Sequence, residues 1–155
     1  GYIETDRFGT VTYYNHLGDK HRTDGPAVIF SNGSELWYQY GKLHRVDGPA
    51  IIHDDGTEAW YQNGELYRTD GAAIIHPNGE EHWYQNGVLH RDDGPATVYA
   101  SGIKVWYKGG KLHRVDGPAM IYANGKCNWY LDGKQITETE FIRRTRKQRD
   151  PRRLV

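Results

Sequence analysis

GKLHRVDGPAIIHDDGTEAWYQ, residues 41–62, returns with its columns in register as GKLHRVDGPAMIYANGKCNWYL at residues 110–131. The period is set by Trp37, Trp60, Trp83, Trp106 and Trp129, which stand 23 residues apart without a slip. Self-similarity at a fixed period means one supersecondary unit copied in tandem, each copy burying its apolar face against its neighbours. A half copy precedes the first full one, with Tyr14 in the tryptophan slot and Gly18 in the turn slot, and the pattern stops at Gln135.

Spacing decides between helix and strand. Each copy carries two glycine turns, such as Asn32-Gly33 then Tyr40-Gly41, and Asp55-Gly56 then Asn63-Gly64. The intervals of roughly five to eight residues between turns suit strands and are too short for helices. Asn-Gly and Asp-Gly supply the positive φ angles of type I′ hairpins. The expectation is an all-β chain in which one copy is one β-hairpin, with strand A over Ala27 to Phe30 and strand B over Glu35 to Gln39. Stacked hairpins of this kind form an elongated, single-layer, solenoid-like antiparallel array. Residues 1–136 are read as this repeat domain and residues 137–155 as a C-terminal capping helix with a basic arm.

The core is expected on the face shared by the Ala of each Asp-Gly-Pro-Ala corner and the Ile or Val two places on, because strand side chains alternate. The five tryptophans close that core from strand B. In the corner, Asp accepts backbone N–H groups, Gly permits the bend and Pro fixes φ. His21, His44, His90 and His113 share one column, Arg22, Arg45, Arg68, Arg91 and Arg114 the next, and Asp24, Asp47, Asp70, Asp93 and Asp116 a third. The histidines are read as turn-packing residues and not as metal ligands. Equivalent residues of successive hairpins lie ~10 Å apart, whereas ligand nitrogens on one zinc lie about 3 to 4 Å apart. The Arg and Asp columns are expected to form a ladder of ion pairs between successive corners.

A catalytic site needs a singular arrangement of nucleophile, base and orienting group, whereas every polar column here is repeated. Cys127 takes a slot held elsewhere by Glu35, Glu58, Glu81 and Lys104, and reads as a packing substitution. Standing alone, it forms no internal disulfide, which points to a reducing, cytoplasmic compartment. The longest apolar runs, Ala27 to Phe30 and Ala72 to Ile75, are far short of the ~20 residues that span a bilayer. No enzyme, metal or cofactor is expected.

With Trp facing one way, Tyr38, Tyr61, Tyr84, Tyr107 and Tyr130 form a stripe on the other face, either covering the second side of a thin sheet or recognising a partner. Positions that vary around the fixed columns are further candidates for partner contact: His53, His76, Tyr99 and Tyr122 after strand A, and Leu36, Ala59, His82, Val105 and Asn128 before the tryptophans. The motif Trp-Tyr-x-Asn-Gly-x-x-His-Arg-x-Asp-Gly-Pro-Ala, complete at residues 83–96, resembles MORN-type repeats of the longer variant found in bacteriophages and giant viruses. The resemblance covers residues 9–141. It implies a non-enzymatic scaffold with a protein partner, either a viral protein docking on and modulating a host protein or a component built into a virus particle. Choline-binding aromatic hairpins of bacterial cell-wall proteins are a rival for ligand capture, but they lack the His-Arg-x-Asp-Gly-Pro-Ala corner.

Thr137 and Glu140 make a capping box, so a helix is expected from Glu138 to about Gln148, with Phe141 and Ile142 plugging the last hairpin. Arg143, Arg144, Arg146, Lys147, Arg149, Arg152 and Arg153 against Asp150 leave +6 over residues 141–155. Because the 20 Lys and Arg and the 20 Asp and Glu of the whole chain cancel, residues 1–140 carry −6. That arm is either a solvated helix end or a contact for nucleic acid or an acidic protein surface. Self-association through open sheet edges is a further expectation.

Overall fold

Turn chemistry divides each of the first four full copies into four short strands rather than two, whereas in the last Cys127–Leu131 runs unbroken through Trp129. The computed structural model describes residues 1–149 and is all-β, antiparallel throughout, with one helix at Glu138–Arg149. The first turn of a copy has only its glycine at positive φ, as at Gly33 (91°). The Asn or Asp before it instead accepts the N–H two residues on, Ser34 to Asn32 Oδ1 at 3.0 Å and Thr57 to Asp55 Oδ1 at 2.8 Å. This is an Asx turn and not the expected type I′. The second turn has both residues at positive φ, as at Tyr40 (50°) with Gly41 (75°) and Asn63 (53°) with Gly64 (86°), and is the type I′ hairpin.

Strand B is therefore broken at the tryptophan. In the first full copy Glu35–Leu36 pairs with Val28–Ile29 and with Ile51–Ile52 of the next copy, whereas Tyr38–Gln39 pairs with Lys42–Leu43. Trp37 sits at the divide. Its N–H donates to Ala50 O at 2.7 Å, towards the next copy, and its C=O accepts from His44 N–H at 3.0 Å in its own second hairpin. One copy is thus two hairpins, one contributing to a broad sheet and one standing off it. The half copy follows the same rule one residue earlier. Tyr13 donates to Ala27 O at 2.7 Å and accepts from His21 N–H, so Tyr13, not Tyr14, takes the tryptophan slot.

The chain separates into two compact units, Gly1–Gly87 and one beginning at Val88. In the first, adjacent strands run in the order Tyr2–Thr5, Val11–Tyr14, Val28–Ile29, Glu35–Leu36, Ile51–Ile52, Glu58–Ala59, Ile74–Ile75 and Glu81–His82. In the second the order is Thr97–Val98, Lys104–Val105, Met120–Ile121, Cys127–Leu131 and Lys134–Ile136. The boundary expected near residue 136 falls inside this second unit, where the helix packs on Cys127–Leu131. Phe141 is buried there and acts as the plug, while Ile142 is exposed.

The core is made of small residues. Ala27, Ala50, Ala73, Ala96 and Ala119 are all at 0% exposure, joined by Val28, Thr97 and Val105. Each of these alanines lies where backbones of adjacent strands meet, so a methyl group fills the space completely. Ile29, Ile52, Ile75, Val98 and Ile121 are only half-buried, and so are Trp37, Trp60, Trp83, Trp106 and Trp129. The expected tryptophan core is corrected accordingly: Trp37, Trp60, Trp83 and Trp106 lie at strand breaks and Trp129 within a strand, and none of the five is buried.

Thr137 caps the helix by accepting Glu140 N–H at its Oγ1, 3.2 Å. Glu140 does not complete the capping box. Its carboxylate accepts from Arg143 at 2.7 and 2.8 Å and from Arg144 at 2.5 Å. Those bonds, led by the one from Arg143, pull its pKa down to about 2. A carboxyl depressed on folding stabilises the helix fully above its ordinary value of 4.5, and that contribution is lost as pH falls from there to about 2. Amide exchange at Phe141 and Thr145 is expected to quicken across that window, and Glu140→Gln to remove the dependence.

Candidate functional site

Every corner repeats one geometry around its arginine. Arg45 Nε–H donates to Asp47 Oδ1 at 3.0 Å, a second guanidinium N–H donates to Pro49 O at 3.2 Å, and the Cζ lies 4.1 Å from the centre of the Trp37 ring. Arg68 does the same with Asp70, Ala72 O and Trp60, and Arg114 with Asp116, Pro118 O and Trp106. Arg22 pairs with Asp24 and covers Tyr13. Arg91 pairs with Asp93 at 2.8 Å. The ion pairs thus lie within each corner, two residues apart, and do not run between corners as expected. Planarity explains the choice of Arg, since one fork serves a carboxylate, a carbonyl and a ring face at once.

The corner glycine is explained by the same packing. A Cβ added to Gly25, Gly48, Gly71, Gly94 or Gly117 would meet the guanidinium carbon at 2.8 to 2.9 Å, and none of these glycines has positive φ. Gly thus leaves room for the guanidinium where it is held, and is not there for a left-handed backbone. The Arg hydrogen bond, with its charge next, also holds Asp24, Asp47, Asp70 and Asp93 below the usual carboxylate range.

The histidine column packs against turns, as its position suggested, and does so across copies. Nδ1 of His21, His44, His90 and His113 accepts the N–H of Tyr40, Asn63, Gly109 and Asp132 at 3.0 to 3.1 Å. Each accepted N–H belongs to the first positive-φ residue of the following type I′ turn. Tyr67 takes the histidine's place in the third copy.

Between successive corners lie open clefts. One of about 570 Å³ is walled by Asp24, Trp37, Arg45 and Asp47, with Gln39 and Val46 in it. The next, about 460 Å³, is walled by Asp47, Trp60, Arg68 and Asp70, with Gln62 and Thr69. In the second unit a cleft of about 430 Å³ has Asp93, Trp106, Arg114 and Asp116 as walls, with Asp92, Lys108 and Val115. The walls repeat and the contents vary. Sequence reasoning missed these positions because Thr23, Val46, Thr69, Asp92 and Val115 are the single variable residue between His-Arg and Asp-Gly. Their signal was that variability itself, together with the exposure of Val46 at 76%.

No family model matches the chain, and no curated protein matches it. The resemblance to MORN-type repeats therefore rests on the sequence columns alone.

The other candidate residues are placed as follows. Tyr38, Tyr61, Tyr84, Tyr107 and Tyr130 are half-buried. In the first unit Tyr61 lies close enough to Tyr84 and Tyr38 that its hydroxyl pKa is raised, by burial first and by those neighbours next. His53 and Tyr99 are exposed. His76 and His82 are brought together, ring centres 5.8 Å apart and nearly perpendicular. In the arm, Arg143 and Arg144 are engaged by Glu140 and Arg146 is exposed. Lys147 and Arg149 belong to the helix, and Arg152 and Arg153 lie outside the described residues. Cys127 is half-buried with its thiol directed at Gly125 O, 3.4 Å. Among the described residues no helix is long and apolar enough to cross a membrane.

Proposed function

We propose that the chain is a non-enzymatic repeat scaffold that binds a protein partner along its corner clefts. The observation that carries this reading is the constancy of the cleft walls against the variation of the residues they present, with an exposed valine at two corners, Val46 and Val115. Fixed Arg, Trp and Asp walls set spacing, and the variable residues set which surface is accepted. Rigid aromatic edges beside exposed carboxylates suit a partner with cationic and apolar groups in alternation.

Holding choline or another cation on the Trp rings is disfavoured, because one face of Trp37, Trp60 and Trp106 is already covered by the arginine eight residues on. The MORN-type resemblance supports a viral, phage-type setting in which the scaffold docks on a host protein, with assembly into a virus particle as the second setting. The test is capture from a host lysate on the immobilised full chain, with and without nuclease. A defined protein retained after nuclease supports the reading, and retention that nuclease abolishes moves the function to nucleic acid and the basic arm.

A further inference from the structure

Besides Tyr67 and Ala72 in its corner, the third copy departs from the columns in its first hairpin. Glu80 stands where the other copies have Ser34, Thr57, Ile103 and Lys126, and His82 where they have Leu36, Ala59, Val105 and Asn128. The column of His82 otherwise holds Leu, Ala, Val and Asn, so the fold does not call for an imidazole there. Both departures lie on one face of a single hairpin with His76.

That hairpin is closed by three hydrogen bonds. His76 N–H donates to Glu80 O at 2.9 Å, Gly79 N–H donates to His76 O at 3.0 Å, and Glu80 N–H donates to Asn78 Oδ1 at 3.0 Å. His76 and Glu80 therefore face each other across the turn, and His82 follows two residues on, on the same side of the strand. A ligand atom of each of the three residues lies within 4.8 Å of those of the other two, and all three side chains are half-buried. His82 Nε2 is 3.0 Å from Glu80 Oε1. His76 Nδ1 is 3.2 Å from Thr57 Oγ1 on the neighbouring strand.

We propose that His76, Glu80 and His82 form a binding site for a zinc ion. Two imidazoles and a carboxylate match the ligand preference of Zn²⁺, with metal–ligand distances of about 2.0 to 2.2 Å, and are wrong for Ca²⁺ or Mg²⁺, which take oxygen ligands. Closing around one ion requires the ligand atoms to approach by roughly 1 Å, within reach of side-chain rotation on a fixed backbone. Thr57 supplies the outer contact: accepting Nδ1–H from His76 fixes the tautomer that leaves Nε2 for the metal. Three protein ligands leave a fourth tetrahedral position for water or a donor from outside. This site differs from the His21, His44, His90 and His113 column, whose Nδ1 atoms are spent on turns.

The test is titration of the full, chelator-treated chain with zinc chloride by calorimetry, and with cobalt chloride followed by visible absorption. Substitutions are taken from sibling copies so that the fold is preserved: His76→Tyr, His82→Val and Glu80→Ser, with thermal unfolding checked for each. One zinc per chain, a tetrahedral cobalt band and loss of both on His76→Tyr or His82→Val are expected. Thr57→Val should weaken binding roughly 10-fold, as loss of an outer-shell partner does. No binding by the wild-type chain, or binding that the folded His76→Tyr and His82→Val variants retain, overturns the proposal. His53→Ala serves as the control and should bind as the wild type does.

Discussion

Ala73→Leu is expected to destabilise the first unit by about 3 kcal/mol or more, at the upper end of what overpacking a core costs. Ala73 is completely enclosed. Its C=O accepts Trp60 N–H at 2.7 Å and its N–H donates to His82 O at 2.9 Å, so the backbone is fixed on both sides and cannot retreat from three added carbons. A domain holds only about 5 to 15 kcal/mol in total, so this change consumes a large share of it. Denaturant unfolding checks the result. Thr69→Leu, at an exposed corner position, should move stability by no more than about 0.5 kcal/mol. Equal effects at the two positions would mean that the alanine column is not where the unit is held.

Arg68→Ala is expected to cost about 2 to 3 kcal/mol. The guanidinium's hydrogen bond to Ala72 O contributes roughly 1.5 to 3 kcal/mol and its contact with the Trp60 ring up to about 2 kcal/mol, while Asp70, whose side chain is 81% exposed, adds little. The sum is discounted because the side chain keeps 22% of its surface in water. Corner three is the most dependent on its arginine, since Tyr67 replaces the histidine and Ala72 the proline. Arg68→Lys should recover little of the loss, because an ammonium cannot serve Asp70, Ala72 O and the Trp60 face together. Gly71→Ala separates the causes: its Cβ would lie 2.9 Å from the guanidinium carbon. It should destabilise the wild type and be nearly neutral in the Arg68→Ala background, a coupling that a double-mutant cycle reads directly.

The repeat and its β character were legible because the period is free of insertions and the glycines punctuate every copy. The second hairpin was not, because nothing in Glu35 to Gln39 marks a break: Trp37 turns the chain by where its N–H and C=O are directed, a matter of the neighbouring copy. Tyr13 escaped for a related reason, since a turn one residue longer shifts the register of the half copy. Trp37 and its equivalents were assigned to the core on hydrophobicity, yet Ala50 holds that place because adjacent backbones approach too closely for a ring. For the corner, the Arg, Asp and Gly columns were visible but their partnership was not. A side chain that pairs with a residue two places away in sequence and lies over a ring eight residues earlier leaves no hydrophobic periodicity to read. His76 and His82 were visible as varying positions, but their convergence with Glu80 was not, since residues 76 and 80 meet only across the turn of the folded hairpin.

The most direct measurement is the affinity of the captured host protein for the full chain and for Val46→Asp and Val115→Asp, with Ser31→Asp at an exposed turn as control. Binding that falls at least tenfold in either cleft variant and is unchanged in the control is the result the corner-cleft account predicts. Equal affinity for all four chains would contradict it and place the partner on another face.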